Sequence, residues 1–277
     1  CFDADEPGQK AASQVAELFG SKAKIFKHLD GVKDACDYLQ TKRNKEFTDK
    51  WLSSEQHVPD GIVVGSSLLT EVMRPIAPAD VNYPFAGVND LTYGLRKGEL
   101  VTITAGSGLG KSQFVREIVW HVLNKTEDNL GLMFLEESVR KTGLSLMSLA
   151  ANKPLHLPDS EATSDEKMEA FKHTLGTDRV YLFDHFGSTS VDNIINRVRY
   201  LAKGLGCSYI FLDHISIVVS AQASGDERKA IDEIMTKLRM LVQETGVALI
   251  VVSHLKRPDS KGHEEGAATS LAQLRGS

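Results

Sequence analysis

Five short apolar runs mark the chain after residue 84, and helical patterns lie between them. The runs are Leu100–Thr104, Leu130–Leu135, Val180–Phe183, Tyr209–Leu212 and Val247–Ser253. Runs that are apolar at nearly every position are typical of strands buried on both faces of a sheet. Strands that alternate with helices form a mainly parallel sheet, and its ligands bind at the carboxyl ends of the strands. The pattern therefore predicts an α/β fold with its site at that edge.

The helical pattern is clearest from Glu227 to Glu244, and a second helix is expected directly after residue 112. In both segments apolar residues recur every three or four positions and form one stripe, as in a helix packed on a sheet. The two predicted stripes are Ile231, Ile234, Met235, Leu238, Leu241 and Val242, and Phe114, Val115, Ile118, Val119, Val122 and Leu123.

The first 83 residues have a weaker pattern. It predicts a strand end at the first residues, followed by helix Ala11–Phe19, strand Lys24–His28, helix Ala35–Leu39, amphipathic helix Lys42–Leu52 and short helix Ser66–Met73. Pro75 and Pro78 end the last of these helices. The segment before residue 84 is therefore a candidate linker between two domains.

The composition is ordinary for a soluble globular protein, with 42% hydrophobic and 25% charged residues. No apolar run approaches the ~20 residues that cross a bilayer. The three cysteines lack the spacing of a metal site, so we expect reduced thiols. A net charge of −5 argues against a wholly basic nucleic-acid-binding surface. It is compatible with a local basic groove, because electrostatic steering depends on where charges lie.

Glycines dominate the turn between the first apolar run and the helix after it. The segment Ala105-Gly-Ser-Gly-Leu-Gly-Lys-Ser112 departs from the strict P-loop pattern only in having Ala105 for the first glycine. Glycines let backbone N–H groups converge on a phosphate, and the helix N-terminus adds partial positive charge. We expect Lys111 to reach the β- and γ-phosphates of an NTP or dNTP, and Ser112 to bind Mg²⁺. The predicted nucleotide-binding residues are Gly106, Ser107, Gly108, Leu109, Gly110, Lys111 and Ser112.

Acidic residues and a histidine follow three other apolar runs. Asp213 is placed to hold Mg²⁺, although a strand-end aspartate also caps turns. Glu136 and Glu137 end the run after the P-loop helix, where one carboxylate is expected to activate water and the other to start a helix. Residue chemistry alone does not choose between them. His254 ends the last run, either as a structural histidine or as a sensor of the γ-phosphate.

Two further charged segments each have two interpretations. The basic loop from Lys256 to His263 is either a solvated surface loop or a contact to single-stranded phosphates. Asp3 and Asp5 are either surface carboxylates or ligands that share a divalent ion at the predicted strand end.

These motifs resemble those of the phage primase–helicase and mitochondrial Twinkle family, a branch of the hexameric DnaB-like helicases. The resemblance is continuous from about residue 60 to residue 277. The matching segments are Gly106-Ser-Gly-Leu-Gly-Lys-Ser112, Leu135-Glu-Glu-Ser138, Leu212-Asp-His-Ile-Ser-Ile-Val-Val-Ser220, Asp226-Glu-Arg-Lys229, Met235-Thr-Lys-Leu238, Ser253-His-Leu-Lys256, His263-Glu-Glu-Gly266 and Leu274-Arg-Gly-Ser277.

The resemblance implies a domain order. Residues 84–277 would form a RecA-like P-loop NTPase core, truncated at its C-terminus, and residues 46–83 a linker whose short helix docks on the neighbouring subunit. Residues 1–45 would be the C-terminal part of a TOPRIM domain, because Asp3-Ala-Asp5 with Gly8 matches its metal-binding motif. The chain is then a fragment: the family's arginine finger lies C-terminal to the motif at Arg275. A TOPRIM primase would also need an upstream glutamate and, in phages, a zinc-binding domain, and neither is in this chain, so priming activity is not expected of it.

The resemblance also implies roles for single residues. It favours Glu136 over Glu137 as the catalytic base, acting with Lys111 and His254. Ser112 and Asp213 would bind the metal. The predicted DNA-binding residues in the central channel are Lys256, Arg257, Lys261 and Arg275.

The function that the resemblance implies is an NTP-dependent replicative DNA helicase, which translocates on single-stranded DNA and unwinds duplex DNA as a ring. Its partners would be single-stranded and replication-fork DNA, further subunits of a hexamer and a replisome polymerase. Its location would be the cytoplasm of a phage-infected cell, or the mitochondrial matrix or nucleoid for a Twinkle homologue. The alternatives are a RecA/RadA-like recombinase ATPase and a non-catalytic ring scaffold that switches with NTP.

Overall fold

The structure is a computed structural model. It describes residues 2–59, 61–106, 108–185, 190–215 and 227–254. The chain divides into two compact units, Cys1–Ile76 and Ala77–Ser277.

The first unit is built from short elements around an aromatic core. Its helices are Glu6–Phe19 (α1), Ala35–Gln40 (α2), Asn44–Leu52 (α3) and Leu69–Val72 (α4), the last preceded by a 3₁₀ turn at Gly65–Leu68. Lys24–Ile25 (β1) and Glu55–Gln56 (β2) form a two-stranded antiparallel ladder. Phe26, Val32 and Tyr38 are buried together, and Phe47 of α3 packs against them.

Helix α1 begins five residues before the predicted start. Asp5 caps it by accepting a hydrogen bond from the Gly8 N–H at 2.9 Å, and a proline lies in the first turn. A Cβ on Gly8 would lie 2.3 Å from the Asp3 carbonyl oxygen, so only glycine fits this close approach. The predicted strand end is wrong for Phe2–Asp5, which form no strand. Instead of a ladder, the Ala4 N–H donates one bond to the Lys33 carbonyl.

The second unit contains a five-stranded, wholly parallel sheet. Its strands are Leu100–Ala105 (β3), Asn129–Phe134 (β4), Val180–Leu182 (β5), Cys207–Asp213 (β6) and Ala248–His254 (β7). Their order across the sheet is β3-β7-β6-β4-β5. The helices are Ala86–Thr92 (α5), Lys111–Lys125 (α6), Val139–Ala151 (α7), Ser164–His173 (α8), Val191–Arg199 (α9) and Glu227–Thr245 (α10), with a π-helical turn at Tyr200–Gly204 after α9. All five predicted strands are confirmed.

Alternate residues of the central strands enter two separate cores. Tyr209 and Phe211 of β6 pack on the α6 side, whereas Ile210 and Leu212 pack against α9 and α10. Because both faces are covered, each strand is apolar at successive positions. The predicted stripes of α6 and α10 both lie in these cores.

The carboxyl ends of the strands meet at one edge. Ala105 of β3 pairs with His254 of β7, and Phe134 of β4 pairs with Asp213 of β6. The chain segments that leave these strands therefore start side by side. Within the described part of the chain, no helix combines the length and the apolar character needed to span a membrane.

Candidate functional site

The glycine-rich turn joins β3 to α6 at this edge. Gly108 and Gly110 have φ angles of 78° and 79°, in the left-handed region that L side chains rarely adopt. A Cβ at either glycine would meet no atom within 4 Å, so the requirement for glycine comes from the backbone angle rather than from crowding. Gly106, Leu109 and Gly110 are described, and the predicted residue Ser107 lies outside the described residues.

Lys111 folds back over this turn. Its side chain donates hydrogen bonds from Nζ to the carbonyl oxygens of Ala105 at 2.9 Å and Gly106 at 2.7 Å. Burial lowers the pKa of the ammonium group, and the nearby carboxylates of Asp213 and Glu136 oppose that effect. The residue is only 8% exposed. A cation in this position is ready to exchange two weak carbonyl acceptors for phosphate oxygens.

Asp213 ends β6 beside the start of α6 and is 5% exposed. Burial raises the pKa of its carboxyl, whereas a hydrogen bond with the Ser112 hydroxyl and the charges of His214 and Arg116 lower it. Because burial outweighs these partners, the charge of the carboxylate is only partly compensated within the chain. A hydroxyl and an undercompensated carboxylate in contact are a donor set that suits Mg²⁺, which prefers oxygen ligands.

Glu136 and Glu137 lie in the turn between β4 and α7, and their environments differ. The side chain of Glu136 is 60% exposed, and its Oε1 lies 2.7 Å from Nε2 of His214. The side chain of Glu137 is 7% exposed and pairs with Arg116 at 2.6 Å. The two positions that sequence chemistry could not separate are therefore an accessible carboxylate and a buried ion pair.

A cleft of about 940 Å³ opens at this edge between α6 and α7. Ser112, Glu136 and Asp213 line it, and Phe134 contributes an apolar wall. Residues of α7 and the turn after it, among them Ser148 and His156, also line it. The predicted base Glu136 and the predicted metal ligands Ser112 and Asp213 thus share one open cleft.

Other predicted site residues are described less fully. The backbone of His254 ends β7 opposite Ala105, next to the start of the glycine-rich turn. Lys256, Arg257, Lys261 and Arg275 lie outside the described residues. Asp5 uses one carboxylate oxygen to cap α1. Among the described residues, no cluster of three or more His, Cys, Asp or Glu side chains is arranged for a metal ion, so a metal at Asp3 and Asp5 stays a prediction.

Arg116 and His214 are the site residues that received no role from the sequence. Arg116 is a polar interruption beside the apolar stripe of α6, and His214 immediately follows the metal-binding candidate Asp213. Their partners, Glu137 and Glu136, are 21 and 78 positions away in the chain. Periodicity gives no signal for a contact over that distance.

Known proteins resemble this chain in sequence. A DNA helicase/primase of Enterobacteria phage T3 is 38% identical over all of the chain and half of the phage protein. The replicative DNA helicase DnaB of Geobacillus stearothermophilus is 24% identical over 62% of the chain and 39% of its own length. The chain therefore spans about half the length of the phage relative and less of the bacterial one.

Solved structures share the fold. One solved ATPase domain superposes with a TM-score of 0.60 at 21% identity, covering 78% of each chain. A DnaB-like replicative helicase, solved in a study of its interactions with primase, gives the same TM-score at 18% identity over 98% of this chain and 62% of its own. Residues 81–277 match the family model of the DnaB-like helicase C-terminal domain. The parallel sheet with its glycine-rich turn thus has the RecA-like architecture, and the chain belongs to the DnaB-like helicase family.

Proposed function

We propose that this chain carries the NTP-hydrolysing motor of a replicative DNA helicase. The observation that carries the proposal is that Ser112, Asp213 and Glu136 line one cleft at the carboxyl edge of the sheet, with Lys111 near enough to Asp213 and Glu136 for their charges to raise its pKa. Lys111 would bind the β- and γ-phosphates of an NTP or dNTP. Ser112 and Asp213 would hold Mg²⁺, which offsets negative charge on the phosphates when bound.

Glu136 is the proposed catalytic base. It is accessible to water, and it is close enough to Lys111 and Asp213 to affect the pKa of both. Glu137 is already committed to Arg116 and has little access to solvent. A base must reach the water whose proton it accepts, so the geometry supports Glu136.

His254 is proposed to link the nucleotide to DNA. Its backbone pairs with Ala105, where the phosphate-binding turn begins, and the basic loop with Lys256, Arg257 and Lys261 follows it. His254 would therefore transmit the loss of the γ-phosphate to that basic segment. Together with Arg275, these cations would contact the phosphates of single-stranded DNA.

A ring of subunits, most simply a hexamer, is proposed from the family. The support in this chain is the apolar surface of the 65–73 segment. Leu69, Val72 and Met73 are 67%, 69% and 73% exposed. Exposed apolar residues on so short a helix are typical of a segment that a partner covers, here the neighbouring subunit. Residues 1–45 are proposed to be the C-terminal part of a TOPRIM domain, with Asp3 and Asp5 as its metal ligands.

The relatives also support a proposal for the working environment of the protein. The proteins named above come from a phage and a bacterium. We therefore place the protein in the cytoplasm of a phage-infected cell, with replication-fork DNA and the replisome polymerase as partners. Neither relative supports the mitochondrial alternative.

The test is forked-DNA unwinding and DNA-stimulated NTP hydrolysis by the full-length protein. Lys111→Ala should lower both by at least about 10³-fold, because the charge on the β- and γ-phosphates loses its clamp. Lys125→Ala, at the exposed far end of the same helix, is the matched control and should leave both rates within about twofold. Strand exchange without unwinding in the wild type would favour a recombinase instead. Full hydrolysis by Lys111→Ala would end the proposal.

A further inference from the structure

The turn between β4 and α7 is anchored at three of its four residues. Leu135 is buried, and its N–H donates to the Asp213 carbonyl oxygen at 2.6 Å. Ser138 caps α7 by accepting from the Lys141 N–H at 3.3 Å. Glu137 is fixed by an ion pair. Glu136 is the remaining residue: its Oε1 lies 2.7 Å from Nε2 of His214, and its charge acts on Lys111 and Asp213.

Glu137 joins both helices that border the cleft. Its Oε1 accepts a hydrogen bond from Nη2 of Arg116 in α6 at 2.6 Å and another from the Thr142 hydroxyl in α7 at 3.1 Å. Its Oε2 lies 3.5 Å from Nζ of Lys141. The carboxylate is therefore bound from two elements, and the turn that carries Glu136 is bound with it.

Arg116 lies on the helix that begins with Lys111. Its guanidinium carbon is 5.5 Å from the centre of the Phe134 ring, in a cation–π contact. The side chain is 13% exposed. Its Nε has no hydrogen-bond partner among the described residues. A buried guanidinium with one unpaired donor costs free energy. Packing alone is therefore a poor explanation for an arginine at this position.

We propose that Arg116 and Glu137 are positioning residues, which fix the catalytic base Glu136 relative to the phosphate-binding helix. The inference rests on the proposed function of Glu136. The pair ties the helix that binds the phosphates to the turn that carries the base, so the distance between phosphate and base becomes a fixed property of the fold. Displacing a catalytic group by about 1 Å can cost about 10²-fold in rate. The pair therefore acts on the chemical step and hardly on nucleotide binding.

The experiment measures kcat and KM for DNA-stimulated NTP hydrolysis by the full-length protein. Arg116→Met and Glu137→Gln should each lower kcat about 10- to 10²-fold, with KM changed less than about twofold. The double variant should be no slower than the slower single variant, because the second change removes a link that is already broken. Arg116→Lys should recover part of the lost kcat. Arg140→Met, an exposed arginine of α7, is the matched control and should keep the wild-type kcat.

Thermal unfolding of each variant separates positioning from stability, and rates are measured well below each Tm. Where a charge-removing variant does not fold, Glu137→Asp and Arg116→Lys keep both charges and shift them by small distances. They should still lower kcat without raising KM. Wild-type kcat in the folded variants, a rise in KM at constant kcat, or additive losses in the double variant would overturn the inference.

Glu136→Gln, measured in parallel, distinguishes two failures. If Glu136→Gln is inactive while the Arg116 and Glu137 variants are fully active, then the positioning role fails and the base stands. If Glu136→Gln itself hydrolyses NTP at the wild-type rate, then the proposed base is wrong.

Discussion

A buried or half-buried aspartate lies at each end of the parallel strands, Asp128 at the amino ends and Asp213 at the carboxyl ends. The two aspartates differ in how their charge is compensated. At the amino edge, the Asp128 carboxylate accepts hydrogen bonds from Lys97 at 2.8 Å and Ser208 at 2.7 Å. Burial raises the pKa of Asp128, but these two bonds together with the charges of Lys97 and Arg179 outweigh it, and the net pKa is lowered. At the carboxyl edge, burial dominates and the pKa of Asp213 is raised.

The difference separates a structural charge from a functional one. Asp128 is satisfied inside the chain, so it stabilises the fold and offers nothing to a ligand. For Asp213 burial outweighs the internal partners, so its charge is costly until an external cation arrives. The same residue type at opposite ends of parallel strands therefore serves folding at one end and binding at the other.

The largest contrast is expected when each aspartate is replaced by its amide. Asp213→Asn should lower NTP hydrolysis by about 10²-fold or more, because the metal loses its charged ligand. Asp128→Asn should leave the hydrolysis rate per folded molecule unchanged. Steady-state turnover, measured well below both melting temperatures, checks this. Comparable losses in the two variants would remove the distinction between the edges.

When stability is measured without nucleotide or metal, Asp128→Asn should be the more damaging of the two substitutions, the reverse of the order expected for hydrolysis. Asp128→Asn should lower the free energy of unfolding by about 1–2 kcal/mol, since charged hydrogen bonds are lost. Asp213→Asn should not lower it, because the amide avoids the burial of a charge. Urea unfolding of both variants beside the wild type gives the two differences. A larger loss for Asp213→Asn would show that its carboxylate is compensated after all.

Acid should abolish the contribution of Asp128. Its folded pKa lies below the unfolded value of 3.8, so the native state binds fewer protons than the unfolded state. The stability that it contributes is therefore fully present above that value, and it is lost as the pH falls through the lower folded pKa. The difference in unfolding free energy between wild type and Asp128→Asn should be constant from about pH 7 to pH 5 and shrink below about pH 4. A difference that grew on acidification would contradict the assigned direction.

The smallest expected effect is on single-stranded DNA binding, and it should distinguish two lysines. Lys256→Ala, in the loop after the carboxyl edge, should weaken single-stranded DNA binding and reduce the slope of log K against log salt by about one contact. Lys97→Ala, at the amino edge, should leave that slope unchanged. Titrations at several salt concentrations measure both. Equal slopes in the two variants would indicate that Lys256 does not contact the phosphates of DNA.

The sequence predicted the second unit well because its signals are local. The apolar runs around Ile103, Leu132 and Phe211 are covered on both faces, so each strand was visible without knowledge of its neighbours. The glycine-rich turn was likewise visible, because the conformations of Gly108 and Gly110 restrict the residue type. The position of Asp213 followed from the end of its strand.

Features that depend on distant partners were not predictable in the same way. Glu137 is buried only because Arg116 of another helix reaches it, and Glu136 contacts a histidine that directly follows β6. Neither contact produces a periodic pattern of apolar and polar residues in the sequence. The start of α1 differs from the prediction for another reason: the Asp5 cap and the proline in the first turn begin the helix before the predicted start at Ala11. The domain boundaries at residues 45 and 83 stay predictions.

The strand order also constrains how the protein is made. Within the described residues β3 pairs only with β7, which lies about 150 residues later in the chain. At a synthesis rate of about 5–20 residues per second, β7 is synthesised roughly 7–30 s after β3. During that interval the nascent chain has an apolar strand with unpaired N–H and C=O groups, a species prone to association with other chains. Because β7 lies between β3 and β6, its arrival joins the strand before the glycine-rich turn to the rest of the sheet.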